Sequence, residues 1–113
     1  MTEARVHAAR RELRLACRVE FSGSSAISGT TRDLSPVDVS LQSAALLTPV
    51  PRRPKPGDRG VLTLTVRGPG LTNALLKIPC RVAFINGNIL NVQIMTAGLD
   101  THQQETFDLL FKH

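Results

Sequence analysis

From residue 13 to residue 22 apolar and polar side chains mostly alternate. Leu13, Leu15, Cys17, Val19 and Phe21 fall on one parity; Arg14, Ala16, Arg18, Glu20 and Ser22 fall on the other. A period of two sends successive side chains to opposite sides of an extended chain, so this stretch is a strand with one face in a core and one in water. The pattern returns along the chain. Val37, Val39 and Leu41 point in while Asp38, Ser40 and Gln42 point out; Leu62, Leu64 and Val66 carry a strand over 61–67. Leu76, Ile78, Cys80, Val82 and Phe84 are inward on a strand over 73–85, and Leu90, Val92 and Ile94 on one over 88–95. A weaker, Ser- and Thr-rich strand spans 27–34.

Breakers separate these strands. Gly23-Ser24-Ser25-Ala26 is a turn, Gly68-Pro69-Gly70 ends the fourth strand, and Asn86-Gly87 signals a type I′ hairpin. Residues 49–60 hold four of the seven prolines and form a loop. Pro79, on the outward parity, predicts an edge position or a bulge. The period then changes. Asp100 or Thr101 can cap a helix, Thr101 and Gln104 have capping-box spacing, and Phe107, Leu110 and Phe111 form one apolar stripe. Lys112 and His113 suit the negative end of that helix. The expected fold is all-β dominated: a six-stranded antiparallel β-barrel plugged by a C-terminal α-helix over about 100–112. With 113 residues the chain holds one core, divided here into a flexible basic arm, 1–12, and a barrel with its helix, 13–113.

The chemistry points to binding, not catalysis. His7, His102 and His113 have no partner at metal-ligand spacing, and no GxSxG, P-loop or GxGxxG occurs. Cys17 and Cys80 read as reduced thiols facing the core. No apolar run reaches the length of a membrane span and the charged N-terminus lacks the apolar core of a secretion signal, so a cytoplasmic protein without membrane insertion is expected. The net charge is +5, and eleven of the fourteen basic residues are Arg, which favours an anion recognised in forked geometry. Trp and Tyr are absent, and Phe21 and Phe84 both fall on the buried parity, which argues against a stacking platform for DNA or RNA.

Two segments gather the polar chemistry: Arg10-Arg11-Glu12-Leu13-Arg14, and Asp33-Leu34-Ser35-Pro36-Val37-Asp38. With the strand order, they resemble the PilZ domain family, bacterial receptors for cyclic di-GMP, whose motifs are RxxxR before the first strand and (D/N)xSxxG between two strands. The segments Thr31 to Ser35, Val39-Ser40-Leu41 and Ile78 to Phe84 also look like the family, and the likeness runs from about residue 9 to 111. It implies a non-catalytic receptor with no cofactor, in which Arg10 and Arg14 take guanine and phosphate while Asp33 and Ser35 hold a guanine edge. Arg11 adds attraction or a second phosphate contact, and Arg81 is a weaker candidate. Guanidinium forks match both phosphate oxygens and the O6/N7 edge of guanine, and a carboxylate accepts from the N1–H and amine.

The chain departs from the pattern at Asp38, where the motif has Gly, and at Asn91, where the family often has Gly. Either Asp38 turns from the ligand and the domain binds cyclic di-GMP, or the site is degenerate and the barrel is a protein-interaction adaptor. A nucleic-acid-binding small barrel is the third class. On the first reading the arm is mobile when free and orders over the ligand, presenting a new surface to a downstream protein partner.

Overall fold

Alternation over six segments produces a cylinder. In the computed structural model, which describes residues 10–49, 52–67 and 73–111, the strands are β1 (Ala16–Phe21), β2 (Ile27–Leu34), β3 (Asp38–Gln42), β4 (Arg59–Arg67), β5 (Asn73–Asn86) and β6 (Ile89–Ile94). Helix α1 (Thr101–Leu109) follows. The strands close in the order β1-β2-β3-β6-β5-β4, every pair antiparallel, with β1 against β4 as the final seam. The interior is filled by the expected parity, including Val19, Ile27, Leu41, Leu62, Leu64, Ile78 and Leu90, all fully buried. Residues 1–9 of the arm, the Gly68-Pro69-Gly70 turn, and Lys112 and His113 lie outside the described residues, as does His7.

Two irregularities in pairing decide which side chains face out. Between β2 and β3 the register shifts from Thr31↔Leu41 to Asp33↔Ser40, leaving Arg32 as an extra residue. A bulge reverses the in–out parity beyond it. Thr31 and Leu34 therefore both enter the interior, and Asp33 is carried to the outer face beside Ser40. Between β5 and β6 the register shifts from Val82↔Val92 to Phe84↔Asn91, leaving Ala83 over. Phe84 is consequently 48% exposed on the outside, not inward as the alternation predicts. Val37 also differs: it lies in the turn before β3, and is 61% exposed.

Pro79 pairs with Val61 on one side, while its other side lies just past the end of β6, where its carbonyl accepts from Met95 N–H at 2.9 Å. β5 runs between β4 and β6 in the closed barrel, so Pro79 is not on an open edge as its parity suggests; it stands where β6 runs out. The β5–β6 connection is Gly87-Asn88, with Asn86 paired to Ile89 and Gly87 at φ 60°, one residue later than the Asn86-Gly87 signal suggests. Alternation gave no warning of the short 3₁₀ turn Ala44–Leu47, which buries Leu46. Asp100 caps α1, its Oδ1 accepting from Gln103 N–H at 2.8 Å. Phe107 and Leu110 join the strand core, and the Phe107 and Phe111 rings meet edge to face at 5.2 Å.

Gly29 is where β2 presses closest on the end of β3. A Cβ there would lie 2.1 Å from the Gln42 carbonyl oxygen, a backbone atom that cannot swing aside. Gly29→Ala is expected to lower stability by about 2–4 kcal/mol. Urea unfolding with an unchanged midpoint would show that the two strands separate easily there.

Candidate ligand-binding rim

The rim is assembled on the outer face of β2 and β3 by the strip of chain that precedes β1. Arg11 and Leu34 exchange backbone hydrogen bonds at 2.8 and 2.9 Å. Further along, the buried Thr31 hydroxyl accepts from Leu15 N–H at 2.8 Å and donates to the Leu13 carbonyl at 2.6 Å, while Thr31 N–H donates to the Leu15 carbonyl at 2.9 Å. This threonine uses an interior position to hold a segment that the ladder does not include.

So placed, Arg10 reaches the rim. Its guanidinium forks between two carboxylates, Nη1 donating to Asp33 and Nη2 to Asp38. Ser35 works inside the turn: its hydroxyl donates to Asp38 Oδ1 at 2.6 Å and accepts from the Val37 and Asp38 N–H groups at 3.2 Å each. It is 3% exposed, so its first role is to shape the β2–β3 turn and aim Asp38. Asp38 opens β3 and pairs with Gln93.

Asn91 completes the cluster. It faces outward on β6 opposite Ser40, and its amide donates to Asp38 Oδ2 at 3.0 Å and to Ser40 Oγ at 2.9 Å. Burial pushes the Asp38 carboxyl up, but hydrogen bonds from Ser35 and Asn91, together with the Arg10 charge and hydrogen bond, outweigh it and hold the group below its ordinary 3.8. Asp38 thus points into the rim cluster.

The other sequence-derived candidates lie elsewhere. Arg11 Nη1 donates to the Leu110 carbonyl at 2.7 Å, at the C-terminal end of α1, where a cation is favoured. Arg14 is exposed and shares a shallow recess with Thr65, Arg67 and Asn73 on the β4–β5 side, away from Asp33. Arg81 is exposed opposite Gln93, itself opposite Asp38, so it stands in the same outer row two strands over, roughly 10 Å from Asp38 at ordinary strand spacing. Phe84, turned out by its bulge, lies opposite Asn91 and lends an aromatic surface to this face. The strip has a second side as well: Arg11, Leu13 and Leu15 help line a cavity of about 550 Å³ beside Leu109 and Leu110 at the end of α1.

Burial pushes the Cys17 and Cys80 thiols up to about 11, which leaves both protonated. Among the described residues no group of three His, Cys, Asp or Glu side chains is placed to hold a metal, and no helix is long and apolar enough to cross a membrane.

Asp38 links the rim to pH. Its lowered folded pKa means that its stabilisation is fully present above the unfolded value and is lost as pH falls through the folded one. The stability gap between the native chain and Asp38→Asn should therefore be flat from pH 7 to 5 and shrink only below the ordinary 3.8. Urea midpoints across pH measure it; a gap that closes well above that value would mean the carboxylate gains nothing from its donors. Arg10→Ala, at a partly exposed ion pair, should cost about 1 kcal/mol.

No protein-family model and no curated protein matches the chain. Solved structures do. The inhibitor of motility from Bacillus subtilis (MotI/DgrA) superposes with a TM-score of 0.65 at 11% identity, over 89% of this chain and 47% of that one, so this chain spans about half its length. The PilZ domain of CeSA from a cellulose-synthesizing bacterium superposes with a TM-score of 0.60 at 16% identity, over 90% of this chain and 93% of that domain. The fold of this chain, a closed six-stranded antiparallel barrel with one C-terminal helix, is that of a PilZ-like domain.

Proposed function

We propose that this chain is a non-catalytic, cytoplasmic receptor module for cyclic di-GMP, with the ligand seated on the outer face of β2, β3 and β6. The observation that carries this reading is the meeting of Arg10, Asp33 and Ser35, from two separate segments, on one rim. Their chemistry is complementary to a guanine nucleotide. Asp33, released from Arg10, accepts from the guanine N1–H and amine, and the freed guanidinium takes phosphate oxygens or the O6/N7 edge. Arg81 on the same outer row supplies a further cation, and the exposed Phe84 a surface for a base. Arg14 joins the site only if the strip moves, and such a movement would reshape the cavity wall beside α1 that a downstream protein partner can read.

A second reading, a protein-interaction adaptor with a degenerate ligand site, is favoured by Asp38. Arg10 with Asp33 and Asp38 carries a net charge of −1, which repels phosphate. DNA or RNA is not the expected partner, although Phe84 no longer counts against it as a buried residue.

Calorimetric titration with cyclic di-GMP separates these readings. Asp33→Ala and Arg10→Ala should each weaken binding about tenfold or more, roughly 1.4 kcal/mol, and Arg14→Ala less. Unchanged affinity in all three variants rejects the site. Binding by Asp38→Gly with none by the native chain means that the ligand site is degenerate and removes the receptor reading. Tight oligonucleotide binding that falls steeply with salt would replace both.

A further inference from the structure

Asp38 is held more firmly than a rim carboxylate needs to be for its own sake. Ser35 fixes one oxygen from inside the turn and Asn91, 5% exposed, fixes the other from the neighbouring strand. Asn91 spends its second amide hydrogen on Ser40, so the amide is anchored to β3 at two points. Asp33, by contrast, has Arg10 as its one side-chain partner among the described residues. The two positions at which the sequence departs from the PilZ pattern therefore touch each other, and together they aim a negative charge at Arg10. The cost of immobilising an ion pair, which makes most surface pairs worthless, is largely met in advance by these donors.

We propose that Asp38, braced by Ser35 and Asn91, is a built-in counter-anion for Arg10: it keeps the strip over residues 10–15 docked on β2 before any ligand arrives, and an anionic ligand gains Arg10 only by displacing it. This deepens the receptor reading and rests on it only for the identity of the displacing ligand. The strip has two kinds of fastening. Thr31 secures Leu13 and Leu15 wherever Arg10 points, whereas the Arg11–Leu34 bridge next to Arg10 has the ion pair as its neighbour and outer guard. Releasing Arg10 should loosen that bridge first.

Amide hydrogen exchange on the full chain, without nucleotide, tests this. The Arg11 and Leu34 N–H groups report the bridge, and β4 amides report global opening. Asp38→Asn and Asn91→Ala should each speed exchange at Arg11 and Leu34 by about two- to threefold, with β4 unchanged, and 1 M salt should speed the native chain in the same direction. Unaltered exchange at Arg11 and Leu34 in both variants overturns the proposal. So does equal acceleration in β4, which would mark a loss of overall stability. Since no nucleotide is present, failure here leaves the titration with cyclic di-GMP to stand or fall separately.

Discussion

Closure of the sheet on itself governs everything else in this molecule. The β1–β4 seam makes a cylinder whose inner surface must be filled by one parity of every strand, so the other parity is committed to the outside. In such a wall a side chain changes sides only where the ladder takes in an extra residue. The barrel does so at Arg32 and at Ala83, and both insertions serve one outer face. The first brings Asp33 out beside Ser40, and the second brings Phe84 out opposite Asn91. The candidate site is thus a by-product of two local mismatches in an otherwise regular lattice, completed by Arg10 from the strip before β1.

The electrostatics of that face run against those of the whole chain. The molecule is basic, at +5, and attracts anions from a distance, yet the rim itself holds two carboxylates around a single guanidinium. Long-range attraction and local repulsion act on different length scales. The first is screened by salt over roughly 10 Å, while the second operates within hydrogen-bond reach. A phosphate that approaches on the general field meets a cation already engaged, and its gain is the difference between two similar interactions. On the receptor reading proposed above, selectivity would come from the donor edge of a base as much as from phosphate, because carboxylates accept the former and repel the latter.

The sequence makes the barrel legible because most of its strands follow one rule. The Ser- and Thr-rich span of β2 and the cap at Asp100 appear where composition and capping chemistry predict. The departure at Phe84 has a simple cause: a bulge inserts one residue without altering the composition around it, so parity alone puts that ring inside. Arg10 and Asp33 are recognisable as candidates from their segments, but their meeting depends on the Arg32 bulge. Asn91 stands out in the sequence only as a departure from the family pattern; its contact with Asp38 depends on the β3–β6 register, which sets it opposite Ser40 and within reach of that carboxylate. Arg14 shares a motif with Arg10 yet lies toward another recess, since spacing along a strip does not reveal where it turns.

The alignment of the strip has one more implication. Arg10 and Arg11 are adjacent and identical, and they serve opposite flanks, one toward the carboxylates and the other toward the end of α1. The Thr31 hydroxyl bonds only main-chain groups, which every alignment offers, so it fastens the strip without choosing its alignment. The side chains choose it: a slide that carried Arg11 to the carboxylates would bring Glu12 to the helix end, and a slip of one residue either way would turn Leu13 and Leu15 away from the core. Two neighbouring cations thereby act as an index mark, because losing step by a single residue leaves one flank with the wrong charge.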